Sequence, residues 1–228
     1  MTKHLERELE LLRVELIEQF GVVEQMIQLA VRSLSERRTD LADRVIASDS
    51  EVDQTDIRIE EECLKLLALH HPVATDMRWL ICVVKVNGEL ERMADLACNI
   101  AERAKSLDLF PLFPVPEEMT EMVTVTNAMV KLSLDAFVER DAEKAAEAIR
   151  TDHLVDTMNG VVIDQLHEIM KTDPDQIEPG VHCFSASRHL ERIADLAESI
   201  AEDVIYLVKG EIVRHKHDQI FNSPQIDR

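Results

Sequence analysis

Apolar residues recur every three or four positions from the start of the chain. Leu5, Leu9, Leu12, Leu16, Val23, Ile27, Ala30 and Leu34 keep that step, so they fall on one face of a helix. A first helix is expected over about 3–37. Thr39-Asp40 offers a break and a new N-cap, and a second helix should run over about 40–69. His71-Pro72 ends it, because the residue before a proline avoids the helical region, and His70-His71 read as loop. A third helix starts near Thr75-Asp76 and reaches about 106. Pro111, Pro114 and Pro116 then mark a linker at 108–116. Beyond it the pattern restarts, with a fourth helix over about 117–139 and a fifth opened by Asp141 and reaching about 171. Asp173-Pro174 and Pro179-Gly180 punctuate the next connection, and Gly210 is the natural C-cap of a sixth helix. The tail, 211–228, has no strong period.

One stretch is written twice. Residues 89–104 read ELERMADLACNIAERA and residues 189–204 read HLERIADLAESIAEDV, with ten of sixteen positions identical at an offset of 100. Asp49, Asp53 and Met26 recur as Asp152, Asp156 and Met129 at an offset of 103, so the second half has the shorter second connection. A period of this size marks a duplicated unit. Each helix has one apolar face to bury, which requires neighbours on that side. The expected fold is therefore all-α, two tandem three-helix bundles with pseudo-two-fold symmetry, over 1–108 and 117–210.

The duplicated helices also carry aligned acids. Glu91, Asp95, Cys98 and Glu102 follow i, i+4, i+7, i+11, as do Glu191, Asp195, Glu198 and Glu202. Leu90, Met93, Ala94, Ala97, Ile100 and Ala101 lie on a different face, the expected core face. The second helix of each half repeats the device: Asp49, Asp53, Asp56 and Glu60, then Asp152, Asp156 and Asn159. Antiparallel neighbours in a bundle bring such stripes together. Like charges at i, i+4 repel by a few tenths of a kcal/mol, and Arg92, Arg103 and Arg192, or a bound cation, are the expected compensation. Two readings stand. Charged stripes opposite an apolar face are ordinary solvated surface. Alternatively, the four pairs Asp49/Asp53, Glu91/Asp95, Asp152/Asp156 and Glu191/Asp195 are metal ligands, and carboxylates favour Mg²⁺, Ca²⁺, Mn²⁺ or iron.

Composition narrows the function. Aromatics are 4% of residues and there are 5 glycines, a profile of helices rather than sheets. A net charge of −20 opposes binding to nucleic acid or to an anionic membrane surface. No apolar run approaches the ~18 residues of a membrane span, and the first residues lack a signal-peptide apolar core. Four cysteines without a CxxC pair read as free thiols in a reducing compartment, so a cytoplasmic location is expected. No Glu-x-x-His, GxSxG or phosphate-cradling glycine loop occurs. A metal-dependent enzyme at the same carboxylates and a purely structural helical scaffold remain the competing classes. The 73–86 region, with Met77, Trp79 and Leu80 beside Arg78, is either a docking face or core.

LERMADLACNIAE with LERIADLAESIAE, HPVATDMRWL at 71–80 and YLVKGEIVRH at 206–215 together resemble the PhoU family of bacterial phosphate-uptake regulators. The resemblance covers nearly the whole chain. It implies two three-helix PhoU repeats and metal clusters held by the E/D-x-x-x-D motif, here Glu91/Asp95 and Glu191/Asp195 with Asp49/Asp53 and Asp152/Asp156 on the companion helices. The implied cofactors are Fe, Mn, Mg or Zn ions in multinuclear clusters. Ser199 replaces the family asparagine that Asn99 retains, which implies a difference between the two sites. The implied role is a non-enzymatic repressor of phosphate-starvation signalling that contacts PstB, the Pst transporter ATPase, and the sensor kinase PhoR. A two-fold homodimer is the expected assembly.

Overall fold

The computed structural model describes residues 3–110 and 113–213. These residues form six α-helices and one short 3-10 turn, with no strand among them. The helices are α1 (Lys3–Ser35), α2 (Thr39–His70), α3 (Ala74–Leu107), α4 (Glu117–Glu139), α5 (Ala142–Thr172) and α6 (Ile177–Lys209). From 214 onward the expected tail, with His215 and His217, lies outside the described residues, as does Pro111.

The apolar period decides what is inside. Leu5, Leu12, Leu16, Val23, Ile27, Ala30 and Leu34 of α1 are all buried. The expected core face of α3, from Leu90 to Ala101, is buried too. Helices α1, α2 and α3 pack on one another, as do α4, α5 and α6, giving two three-helix bundles. The bundles join where α3 lies against α6, with a smaller contact between α1 and α4. The α3–α6 pair runs antiparallel. Near one end Cys82 Sγ donates to the Asp203 carbonyl at 3.7 Å, Lys85 pairs with the Asp203 carboxylate at 2.5 Å, and the Arg78 guanidinium lies over the Tyr206 ring. Trp79 and Leu80 take part in this core, Trp79 being only 6% exposed. Within the 73–86 docking candidate Trp79 and Leu80 are therefore core, and of the three only Met77 is exposed.

Helix ends show how the chain turns. Asp141 caps α5 as its sequence position suggests, accepting bonds from the backbone N–H groups of Glu143 (2.9 Å) and Lys144 (3.1 Å). Gly210 closes α6 at φ 76°, where a Cβ would meet the Arg78 guanidinium 3.0 Å away. The start of α2 differs from expectation. Arg38 is the capping residue, and Thr39-Asp40 already belongs to the helix, with Asp40 held by Arg38. The turn before it depends on Arg37, a left-handed residue at φ 53°. Its guanidinium donates to three carbonyls, Leu107 at 2.8 Å, Phe110 at 2.9 Å and Phe113 at 2.8 Å. One side chain thus fastens the end of the first bundle to the connection between bundles. His70 is not loop: it is the last residue of α2, and His71 is the left-handed C-cap at φ 44°. The proline rule acts one residue later, on the cap.

Candidate metal centre

The acid stripes face each other because α2 and α3, like α5 and α6, are packed neighbours joined by short turns. Cross-helix bonds from Cys98 and Asn87 set the register in the first bundle. Cys98 Sγ donates to Asp49 Oδ1 at 3.4 Å. Asn87 Nδ2 donates to Asp56, to Oδ1 at 2.7 Å and to the backbone carbonyl at 2.9 Å. Asp53 therefore lies between these rungs, level with Glu91 and Asp95.

Crowding shows in the proton affinities. Partial burial raises the Glu91 carboxyl, and the charges of Asp95, Asp56 and Asp53 add to it. Burial raises Asp95 as well, with Asp49 and Asp53 across the groove adding repulsion. In the second bundle burial pushes Asp152 up to about 7, reinforced by Glu198, Asp156, Asp195 and Glu191. Asp195 is raised by burial and by Glu191 and Asp156, against the opposing charges of Arg188 and Arg192. All eight expected carboxylates thus sit in two opposed groups, Asp49, Asp53, Glu91 and Asp95 in one and Asp152, Asp156, Glu191 and Asp195 in the other. Burial and Asp49 push the Cys98 thiol up to about 12, which keeps it a protonated donor at neutral pH.

The expected arginine compensation is incomplete. Arg92 bonds Glu89 at 3.0 Å and Arg103 bonds Glu102 at 3.5 Å, each an acid outside the four pairs. Arg188, which was not expected in this role, bonds Glu191 Oε1 at 2.8 Å. The other oxygen, Glu191 Oε2, is buried without a hydrogen-bond partner. The amide oxygens of Asn87 and Asn159 are also buried and unpartnered. Unpartnered carboxylate and amide oxygens beside crowded acids fit a hard or borderline cation. Sequence reasoning did not use Asn87, although it lies four residues before Glu91 and continues the stripe. The two centres differ in detail: Asp56 and Cys98 of the first correspond to Asn159 and Glu198 of the second. One acid of each group, Asp95 and Asp195, lines a cleft between α3 and α6 together with Arg92, Asn99 and Arg192. Three ligand atoms come within 4.8 Å of one another, among the described residues, only at His4, Glu8 and His70. The stripe carboxylates do not converge three at a time within that distance.

A family model described as PhoU domain matches residues 16–104 and 119–204. The chain belongs to the PhoU family. A PhoU homolog of Aquifex aeolicus, described as a phosphate-specific transport system accessory protein, is 35% identical over 211 residues, covering 92% of this chain and 96% of its own length. One of Pseudomonas aeruginosa with the same description is 35% identical over 222 residues, 94% of this chain and 91% of its own. The crystal structure of PhoU from Pseudomonas aeruginosa superposes with a TM-score of 0.86 at 35% identity, covering 90% of this chain and 99% of that one. The phosphate transport system regulatory protein PhoU of Streptococcus pneumoniae gives a TM-score of 0.84 at 28% identity, covering 92% and 99%. The two PhoU repeats are the two bundles. No helix among the described residues is long and apolar enough to cross a membrane.

Proposed function

We propose that this PhoU-family chain is a metal-binding cytoplasmic regulator of phosphate uptake that represses phosphate-starvation signalling. One observation carries the metal reading: the same carboxylate pairs face each other in both repeats, and Glu191 Oε2 is buried there without a partner. Each repeat, taken as 1–108 and 117–210, holds its own centre. Asp49, Asp53, Glu91 and Asp95 serve the first, Asp152, Asp156, Glu191 and Asp195 the second. Fe, Mn, Mg or Zn ions in multinuclear form would neutralise the crowded acids.

The regulatory reading is supported by relatives whose names make them accessory to phosphate-specific transport. With a net charge of −20 the chain has no footprint for nucleic acid, so its effect on transcription passes through proteins. Its partners in this reading are PstB and PhoR, and it acts as a non-enzymatic homodimer. The test is a deletion strain grown in high phosphate with a phosphate-responsive reporter. The reporter turns on without this chain, and pull-downs recover the kinase or the transporter ATPase. A reporter that stays off, with neither partner recovered, overturns the reading.

A further inference from the structure

Helices α1 and α2 are packed neighbours joined by a short turn, so the start of α1 meets the end of α2. His4 and Glu8 stand at i, i+4 in the first turns of α1, and His70 is the last residue of α2. Both imidazoles aim the same atom at one carboxylate. His4 Nε2 lies 3.4 Å from Glu8 Oε1, and His70 Nε2 lies 2.9 Å from Glu8 Oε2. The rings meet edge to face, with centroids 5.6 Å apart and planes at 70°, so they converge on the carboxylate instead of stacking. Glu8 and His70 are mostly buried, at 16% and 17% side-chain exposure, while His4 is 71% exposed. The site thus has a seated half and an open half. Lys65, a cation in the field of Glu8, has its ammonium on Glu62 at 2.7 Å.

We propose that His4, Glu8 and His70 form a site for a zinc-class divalent ion, separate from the carboxylate centres. Zinc binds imidazole nitrogen and carboxylate oxygen at about 2.0–2.2 Å, so ligand atoms of a tetrahedral site stand roughly 3.3–3.5 Å apart. The His4–Glu8 separation already has that value, and the His70 ring needs to withdraw from its hydrogen bond by about half an ångström. Neutral imidazole supplies the lone pair once its proton resides on Nδ1. Two imidazoles and one carboxylate select Zn²⁺, Co²⁺ or Ni²⁺ over Mg²⁺ and Ca²⁺, which take oxygen ligands. The fourth position faces solvent beside exposed His4, so water or a partner's side chain completes the shell. The ion stands beyond reach of the stripes: Asp53 and His70 are separated by 17 residues of helix α2, about 25 Å along its axis. It joins the first turn of α1 to the last turn of α2.

Co²⁺ is the probe, because four-coordinate cobalt with nitrogen ligands absorbs strongly in the visible and oxygen-ligated octahedral cobalt does so weakly. Metal-stripped full-length protein is titrated with Co²⁺ in excess Mg²⁺. One equivalent is expected to give the intense band, and Zn²⁺ to abolish it. Outer-shell changes alone cost about 10–100-fold in metal affinity, so His4→Ala and His70→Gln should each weaken binding at least about tenfold. A variant carrying Asp152→Ala and Asp156→Ala should keep the band. Exposed His4 makes His4→Ala a variant that folds normally, with circular dichroism as the check. The proposal is overturned by absence of the band, by a band unchanged in His4→Ala and His70→Gln, or by one lost only in the carboxylate variant. Failure here leaves the carboxylate centres standing, because their metal content is read separately from the acid variants.

Discussion

Asp152 holds its proton more tightly in the folded protein than in the unfolded chain, since burial and four neighbouring acids push it up to about 7. Its contribution to stability is therefore complete below the unfolded value near 3.9 and is lost as pH rises through about 7. The full shift corresponds to about 4 kcal/mol, but the side chain is only half-buried, and screening reduces this to about 1–2 kcal/mol. Metal-free protein should lose stability between about pH 4 and 7, in step with this group. Asp152→Asn should flatten that slope and raise the melting temperature at pH 8. Thermal melts of metal-free wild type and variant across this range decide it: a variant less stable at pH 8 would mean the carboxylate is held by partners rather than crowded by neighbours.

The six helices follow from sequence because their boundaries are written in local chemistry. Asp141 is the plainest case, an N-cap with two backbone donors on one oxygen. Asp141→Ala should cost about 1 kcal/mol, with a melting temperature lower by about 2–4 °C. A loss of the same size in Asp141→Asn would show that charge, not capping geometry, matters there. The stripes were equally legible, because a period of 3.6 fixes which acids share a face and a repeated frame fixes which helices carry them. What sequence could not supply was long-range pairing. Arg37 finds its carbonyls 70 to 76 residues away, and Arg188 rather than Arg192 bonds Glu191. His70 read as loop because a proline two residues on excludes the helical region only for His71. Its partner Glu8 lies 62 residues back, beyond the reach of any local spacing rule.

At the scale of the whole molecule the carboxylate groups lie between helices, so a cation bound there would tie each bundle together. A cation that binds only the folded state stabilises by mass action, about 2.7 kcal/mol at a hundredfold excess over Kd. For a chain of this length that raises the melting temperature by about 5–10 °C. Glu91→Ala with Asp95→Ala should remove the metal of the first centre and spare that of the second. Elemental analysis and calorimetry check both numbers. Equal loss from both centres would make them one cooperative unit, and unchanged metal content and melting would leave the stripes as solvated surface.

The α3–α6 crossing has a consequence for descent. A half-length ancestor with one three-helix unit would cover the same helix face by pairing with a second copy of itself, and a symmetric pair must carry two identical centres. Fusion into one chain lifts that identity. Cys98 can then stand where its counterpart is Glu198, and Asp56 where its counterpart is Asn159. One duplicated architecture thereby holds two acid clusters that can diverge one at a time.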